Sequence, residues 1–523
     1  MDTIDRRRAA PVLLAGAIAL VYLIVDPPSY DLAAQLLRTK LFSAEGFGLW
    51  NNWWYGGHDT LAYSVLFGPL AAATSPQLIG ALAAVITAAL FSEVVTARYG
   101  ARGELGALWF AAATSVSLFS GRLTFALGLM FALGALLALT RRRPLLTGGL
   151  SVLAALSSPV AALFTALVGV TVALRAAHER DGSRSAVGLG VILCSLLPVL
   201  ALSVAFPEGG TEPYAFSSLW PVPVIAVMFV ALAPAQEAAV KLGAALYAGG
   251  CVLAYAIPSP IGANAGRLAP LLAGPLAALV WSRRRTAWLL AAAAPLLYLQ
   301  WQAPARDVIT SAQNPAVSAS YWRPLLRFLG TRHGAPFRVE IPFTASHWEA
   351  YYVAPRFPLA RGWERQLDER DNALFYDGTL TAPRYEVWLH ALAIRFVAVA
   401  AGPVDSSARQ ELALIDRGLP YLRLVWASPR FRVYAVRDPT PIAQGPVTLT
   451  AYGPSSLTLV AHAPGRVVLH VRYSPYWELG RGSGCVSPAG GFTALTLRRP
   501  GRVRVVIGFS LGRIGARSPR CSS

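Results

Sequence analysis

"PVLLAGAIALVYLIVDPPSYD" (residues 11–31) ends an uncharged apolar run on two carboxylates, Asp26 and Asp31. The run 11–25 follows a basic leader, "MDTIDRRRAA", and has the composition of a helix that crosses a bilayer. A secretory signal peptide would share the arginine-rich start. "DPPSYD" lacks the small-residue cleavage pattern, however, and further apolar runs follow, so the helix is expected to be retained. Of the 523 residues, 55% are hydrophobic and 14% charged, with a mean hydropathy of +0.47. That balance is too apolar for an ordinary soluble enzyme.

Arginine placement orients the remaining runs. Arg6–Arg8, Arg98 with Arg102, Arg141–Arg143, Arg175 with Arg180 and Arg184, Lys241, and Arg283–Arg285 punctuate them. Placing every cluster in the cytoplasm satisfies the positive-inside rule. The spans implied are 11–25, 77–97, 105–120, 124–140, 145–159, 160–175, 187–206, 220–235, 242–257, 268–282 and 286–301. The expected fold is therefore a polytopic α-helical membrane protein of about eleven transmembrane helices, N-terminus inside and C-terminus outside. "LAYSVLFGPLAAAT" (61–74) is short for a span and reads as a re-entrant or interfacial helix. Residues 1–301 form the multi-span domain, with a first outer loop at 26–76.

Composition changes after "YLQWQAPARDVITSAQNP" (298–315). "FRVEIP" (337–342), "RFVAVA" (395–400) and "RFRVYAV" (430–436) read as strands between helix-like segments, which predicts an extracytoplasmic α/β domain over 302–440. From 441 to 523, short strands separated by Pro and Gly turns predict a β-sandwich. Cys485 and Cys521 both fall there, where a disulfide can persist, whereas Cys194 and Cys251 lie in apolar spans. The net charge of +19 belongs to membrane anchors and the tail, so no nucleic-acid partner is expected. Walker A, dinucleotide-binding, HExxH and CxxC patterns are absent. "GRGSG" (480–484) lacks the strand-to-helix context of a nucleophile elbow.

The polar residues of the first outer loop admit two readings each. Asp31 can cap the following amphipathic helix, or face a cavity as a general base. Asp26, before "PP", reads as a loop residue and is the weaker alternative as base. Glu45, His58 and Asp59 are solvated loop residues or sugar ligands. "LWNNWWYGGH" (49–58) is an aromatic belt at the headgroup level or a sugar-binding surface, in which Trp53 and Trp54 stack on a ring and Asn52 meets its hydroxyls. Arg122 in "SGRLTF" and Arg267, with Asn264, in "PSPIGANAGRLAP" snorkel at the interface or hold a lipid phosphate. In the tail, residues 343–376 concentrate His347, Trp348, Glu349, Arg361, Glu364 and Asp368. They form a structural ion-pair network or an acceptor-binding surface.

A multi-span chain with a carboxylate-bearing first outer loop resembles the C-superfold (GT-C) integral membrane glycosyltransferases. "LWNNWWYGGHDTLAYSVLFGPLAA" and "GRLTFALGL" also resemble a bacterial subgroup labelled 6-pyruvoyl-tetrahydropterin synthase-related membrane proteins. The similarity covers roughly residues 10–300, and the tail segment "VRYSPYWELG" is similar to outer domains of some such proteins. The resemblance implies transfer of a sugar from a polyprenyl-phosphate donor to a cell-envelope glycan or lipid acceptor, on the outer face of the plasma (inner) membrane. Asp31 carries over as the base by position, although the adjacent acidic pair of the family is missing, since Leu32 follows. Arg267, Arg122 and Asn264 would hold the donor phosphate. His58, Asp59, Glu45, Trp53, Trp54, Asn52, His347 and Glu349 would meet sugar or acceptor. No metal ligands are assigned, and a divalent metal ion stays open as a cofactor. The alternative is a non-catalytic transporter, flippase or envelope-assembly scaffold in the lipid bilayer. Glu93 is the main ionisable residue in the spans, and it lies near a cytoplasmic end, which counts against a proton-coupled transporter.

Overall fold

The computed structural model describes residues 3–281 and 286–522. Arg283–Arg285 lie outside the described residues, as do the side chains of Arg6 and Arg7. The chain divides into two compact units. The first comprises Met1–Gln35, Ala62–Ser203 and Thr211–Thr310, and the second Leu36–Leu61, Val204–Gly210 and Ser311–Ser523.

The first unit is helical. Its helices are α1 (Thr3–Val25), the start of α2 (Leu32–Glu45), α3 (Phe67–Ala73), α4 (Pro76–Tyr99), α5 (Glu104–Ala113) and α6 (Ser115–Phe119). After them come α7 (Leu123–Thr140), α8 (Pro144–Ser157), α9 (Pro159–His178) and α10 (Gly182–Ala205). α11 (Phe216–Leu219), α12 (Pro221–Leu232), α13 (Ala238–Ala256), α14 (Leu268–Trp281) and α15 (Thr286–Ala312) complete it. Among the described residues, seven helical segments are long and apolar enough to cross a membrane. Pro76–Phe119 is one of them, bent at the short turn Gly100–Gly103, and Pro144–Ser157 and Phe216–Leu232 are shorter apolar helices. α3 is a seven-residue helix, too short to span.

Local chemistry sets these boundaries. Ser75 accepts a hydrogen bond from Leu78 N at 3.1 Å and Pro76 opens α4, a capped start for a helix. "LSSP" breaks the chain between α8 and α9: Ser158 is extended and caps α9, while Ser157 Oγ donates to Leu153 O at 2.8 Å. Helices approach closely where residues are small. A Cβ on Gly169 would meet Gly188 O at 2.8 Å, so α9 and α10 touch backbone to backbone.

Ion pairs gather Arg8, Arg98 and Arg141 at one end of this unit. Glu93, near the end of α4, lies 3.4 Å from Arg8 and 3.1 Å from Arg141, and Glu237 lies 3.1 Å from Arg98. Arg122 precedes α7 and Arg141 follows it, so the two stand at opposite ends of a helix about 27 Å long.

The second unit is sheet-rich. β1 (Trp50–Asn51) and β2 (His58–Asp59) form a small antiparallel hairpin. β3 (Arg338–Glu340), β4 (Ile394–Ala400), β5 (Leu422–Ala427) and β6 (Phe431–Val436) form a mixed sheet in the order β3-β4-β6-β5, accompanied by helices that include α16 (Ala319–Gly330). β7 (Ala443–Gln444), β8 (Val447–Tyr452), β9 (Ser456–Ala461), β10 (Gly465–Arg472), β11 (Trp477–Arg481), β12 (Gly484–Ala489), β13 (Phe492–Leu497), β14 (Gly501–Ile507) and β15 (Arg520–Ser522) follow. They make two antiparallel sheets, β15-β12-β13-β10-β7 and β11-β14-β9-β8, whose alternating apolar residues fill one core. Cys485 on β12 and Cys521 on β15 are register partners and are joined by a disulfide.

Residues 36–61, expected with the membrane segment, group with this second unit for a packing reason. Trp50 is 3% exposed within the sandwich core and meets Trp477 edge-on at 5.6 Å.

Candidate functional site

In the first unit, four ionisable side chains converge where α2, α7, α14 and α15 meet the loops. Asp31 immediately precedes α2, and its Oδ2 lies 3.4 Å from Arg122 Nε. The contact depends on a glycine. Gly121 has φ +71°, and a Cβ there would stand 2.6 Å from Leu32 N, so only glycine lets the turn before α7 press against the Ser29–Leu32 loop. Arg267 ends the turn before α14 and lies over the ring of Phe125 at 5.7 Å, within electrostatic reach of Arg122, Asp31, Tyr63 and Glu212. Asn264 occupies the same turn, half-buried.

The fourth member is Asp307, beyond the apolar part of α15. Burial pushes its carboxyl up to about 6, and the charge of Asp31 adds to this, against Arg122 and Arg306. Sequence reasoning missed Asp307 because "APARDVIT" reads as the start of a soluble tail. A carboxylate in a Pro-interrupted helix that continues an apolar run was the available signal.

Asp31 is not open to bulk solvent: its side chain is 19% exposed. Asp26, the weaker alternative, is exposed, accepts a hydrogen bond from Gln77 Nε2 at 3.0 Å, and takes no part in the cluster. Its backbone N–H closes α1 on Tyr22 O at 2.9 Å, at φ +41°, a conformation that Asp tolerates better than most residues.

The second unit holds a different cluster around His58. His58 Nδ1 lies 3.5 Å from Glu208 Oε2, and Glu364 completes a set of donor atoms within 4.8 Å of one another. These residue types are metal ligands, yet the hydrogen bonds around them do not fit a metal. Trp53 N donates to Asn51 Oδ1 at 3.0 Å, which turns the Asn51 amide nitrogen toward His58 Nε2, also at 3.0 Å. Nε2 therefore accepts and the Nδ1 proton faces Glu208, where a metal would need a lone pair; burial works against a charged imidazole, but the Glu208 carboxylate leaves its proton affinity raised. Glu364 is already taken by Arg38 at 2.5 Å. The site fits protons instead. Burial pushes the Asp59 carboxyl up to about 8, with Glu208 adding to it against His58 and Arg370. Burial likewise raises Glu208, against the pull of His58.

Most of the remaining candidates lie in the interior of the second unit. Trp53 and Trp54 are buried, at 7% and 1% exposed, because the tight hairpin turns them into the second unit; Trp54 stacks on His58 and donates to Ala350 O. They form neither an interfacial belt nor an open platform. Asn52 is buried and structural, accepting from Trp50 Nε1 at 2.7 Å and donating to Gly453 O at 2.9 Å. Glu45 is exposed at the end of α2 and accepts from Ser455 Oγ, apart from the His58 cluster.

His347 and Glu349 are buried as well and present no open face to a glycan. Glu349 accepts from Thr344 Oγ1 at 2.5 Å, and His347 Nε2 lies 3.5 Å from Asp405. Beside them Arg361 pairs with Asp368 at 2.6 Å and is sandwiched between Phe343 and Phe375. Burial raises the Glu411 carboxyl to about 7 against the attraction of Arg361. Much of the charge in 343–376 is thus an interior network, while Arg356 and Arg370 are exposed.

No family model matches this sequence, and no curated protein matches it.

Proposed function

We propose that this protein is an inverting membrane glycosyltransferase that moves a sugar from a polyprenyl-phosphate donor to a cell-envelope glycan or lipid acceptor. The observation that carries this reading is the Asp31–Arg122–Arg267–Asp307 cluster, set at the end of α7 opposite the Glu93 ion pairs. With the basic loops in the cytoplasm, the cluster stands on the outer face of the plasma membrane. The finer topology of about eleven spans, N-terminus in and C-terminus out, belongs to this proposal.

In the proposed step an acceptor hydroxyl attacks the anomeric carbon, and its proton passes to Asp31. The bond from that carbon to the phosphate oxygen breaks, and the phosphate departs with the electron pair. Arg122 and Arg267 stabilise the charge that develops on it. Without donor, Arg122 rests on Asp31; an incoming phosphate competes for the guanidinium and releases the carboxylate for proton transfer. Proton transfer of this kind contributes roughly 10²–10⁴ in rate.

The test is sugar transfer by purified protein in lipid nanodiscs, offered a panel of polyprenyl-phosphate sugars. Asp31→Asn should fold normally and lose transfer. Full activity in that variant removes Asp31 as the base, and an inert wild type across the panel removes the enzymatic reading.

A further inference from the structure

Three arginines line one open concavity of the second unit, and none of them belongs to the His58 or Arg361 cluster. Arg323 and Arg327 lie one turn apart on α16; together with Arg356, Leu326, Gly330 and Thr331 they line a groove of about 530 Å³. The amphipathic pattern of α16 creates this face. Tyr321, Trp322, Leu325, Phe328 and Leu329 are buried, so the intervening arginines turn outward. All three are exposed, and among the described residues none has a carboxylate within ion-pair distance.

The contrast with neighbouring arginines is informative. Arg361, Arg365 and Arg370 each pair with an aspartate. Three like charges at one hollow repel one another, and no carboxylate stands among the residues that line it. Thr331 Oγ1 donates to Phe328 O at 2.7 Å, and its hydroxyl, being neutral, supplies no counter-charge. The groove is also larger than a bare ion requires, within the range of about 300–1,000 Å³ that small organic ligands occupy.

We infer that this groove binds a phosphate ester, with the Arg323, Arg327 and Arg356 forks on the phosphate oxygens and Leu326 and Gly330 against the organic group. Guanidinium forks match phosphate geometry better than an ammonium does. The phosphate can belong to an anionic lipid headgroup or to a soluble ester, and the inference is independent of the proposed sugar transfer.

The experiment uses the full chain in phosphatidylcholine nanodiscs. Binding is measured with two probes: glycerol 1-phosphate in solution, and dihexanoyl phosphatidylglycerol. Binding of both assigns recognition to the phosphate group; binding of the lipid alone assigns it to a headgroup; binding of neither at millimolar concentration overturns the inference. A triple R323Q/R327Q/R356Q variant should weaken binding by at least roughly ten-fold. The triple lysine variant, which keeps the charge and removes the forks, should fall between that and wild type. R498Q/R499Q/R502Q removes the same charge from the exposed sandwich surface and should bind as wild type. An equal loss in that control would show that net charge alone attracts the probe, and the groove would be dismissed.

Discussion

Gly121 and Leu32 stand so close that a single added carbon on the glycine would lie 2.6 Å from the Leu32 backbone nitrogen. This approach brings the turn holding Arg122 against the loop holding Asp31, two segments about ninety residues apart in sequence that neither could position alone.

Gly121→Ala should separate the turn from the loop. Because φ +71° is also unfavourable for alanine, a stability loss of about 1–2 kcal/mol is expected. Sugar transfer should fall much further than that loss explains, with KM for donor rising. Unchanged donor use in a folded Gly121→Ala protein would show that the Arg122–Asp31 contact is dispensable.

Asp307 provides a pH-dependent test of the same cluster. Its carboxyl is pushed up to about 6 by burial and by the charge of Asp31, so it ionises as the pH rises through that value. If the four groups act together, the transfer rate of the wild type should change across pH 5–7. That limb should be missing in Asp307→Asn. A profile identical in the two proteins would place Asp307 outside the reaction.

Asp59 should make the second unit more stable at acidic than at alkaline pH. Its folded-state carboxyl titrates at about 8 against an ordinary value of 3.8, so the folded form holds a proton that the unfolded form releases. That contribution is complete below pH 3.8 and is lost as the pH rises through 8. Asp59→Asn keeps a neutral side chain at every pH. Its melting temperature should exceed that of wild type at pH 8, and the difference should shrink toward pH 5. Parallel melting curves for the two proteins would contradict the assignment.

Arg361 should be intolerant of truncation. Removing it leaves Asp368 and Glu411 buried without their cation, a loss of about 3–5 kcal/mol. Chemical denaturation of Arg361→Ala should show that loss, while Arg323→Ala on the surface should stay within about 0.5 kcal/mol of wild type.

Much of the fold was legible because its signals are local. Apolar length marked the helices, Ser158 and Pro159 marked the break between α8 and α9, and alternation marked the strands of the sandwich. Asp31 and Arg122 also stood out, each as a charge at the edge of an apolar run. The aromatic stretch at 49–58 misled, since exposed and buried tryptophans are identical in sequence. Only the packing of Trp50 against Trp477 places that hairpin inside a core built some four hundred residues later.

Composition and periodicity by themselves determined a helical, membrane-like part followed by a sheet-rich part, because bilayer thickness and strand pleat impose lengths and repeats on any chain. Which charges meet was decided by tertiary structure alone. Ion pairs and perturbed carboxyls depend on distances of a few ångströms between residues remote in sequence, as between Asp31 and Arg122 or His58 and Glu208, and no local pattern encodes those distances.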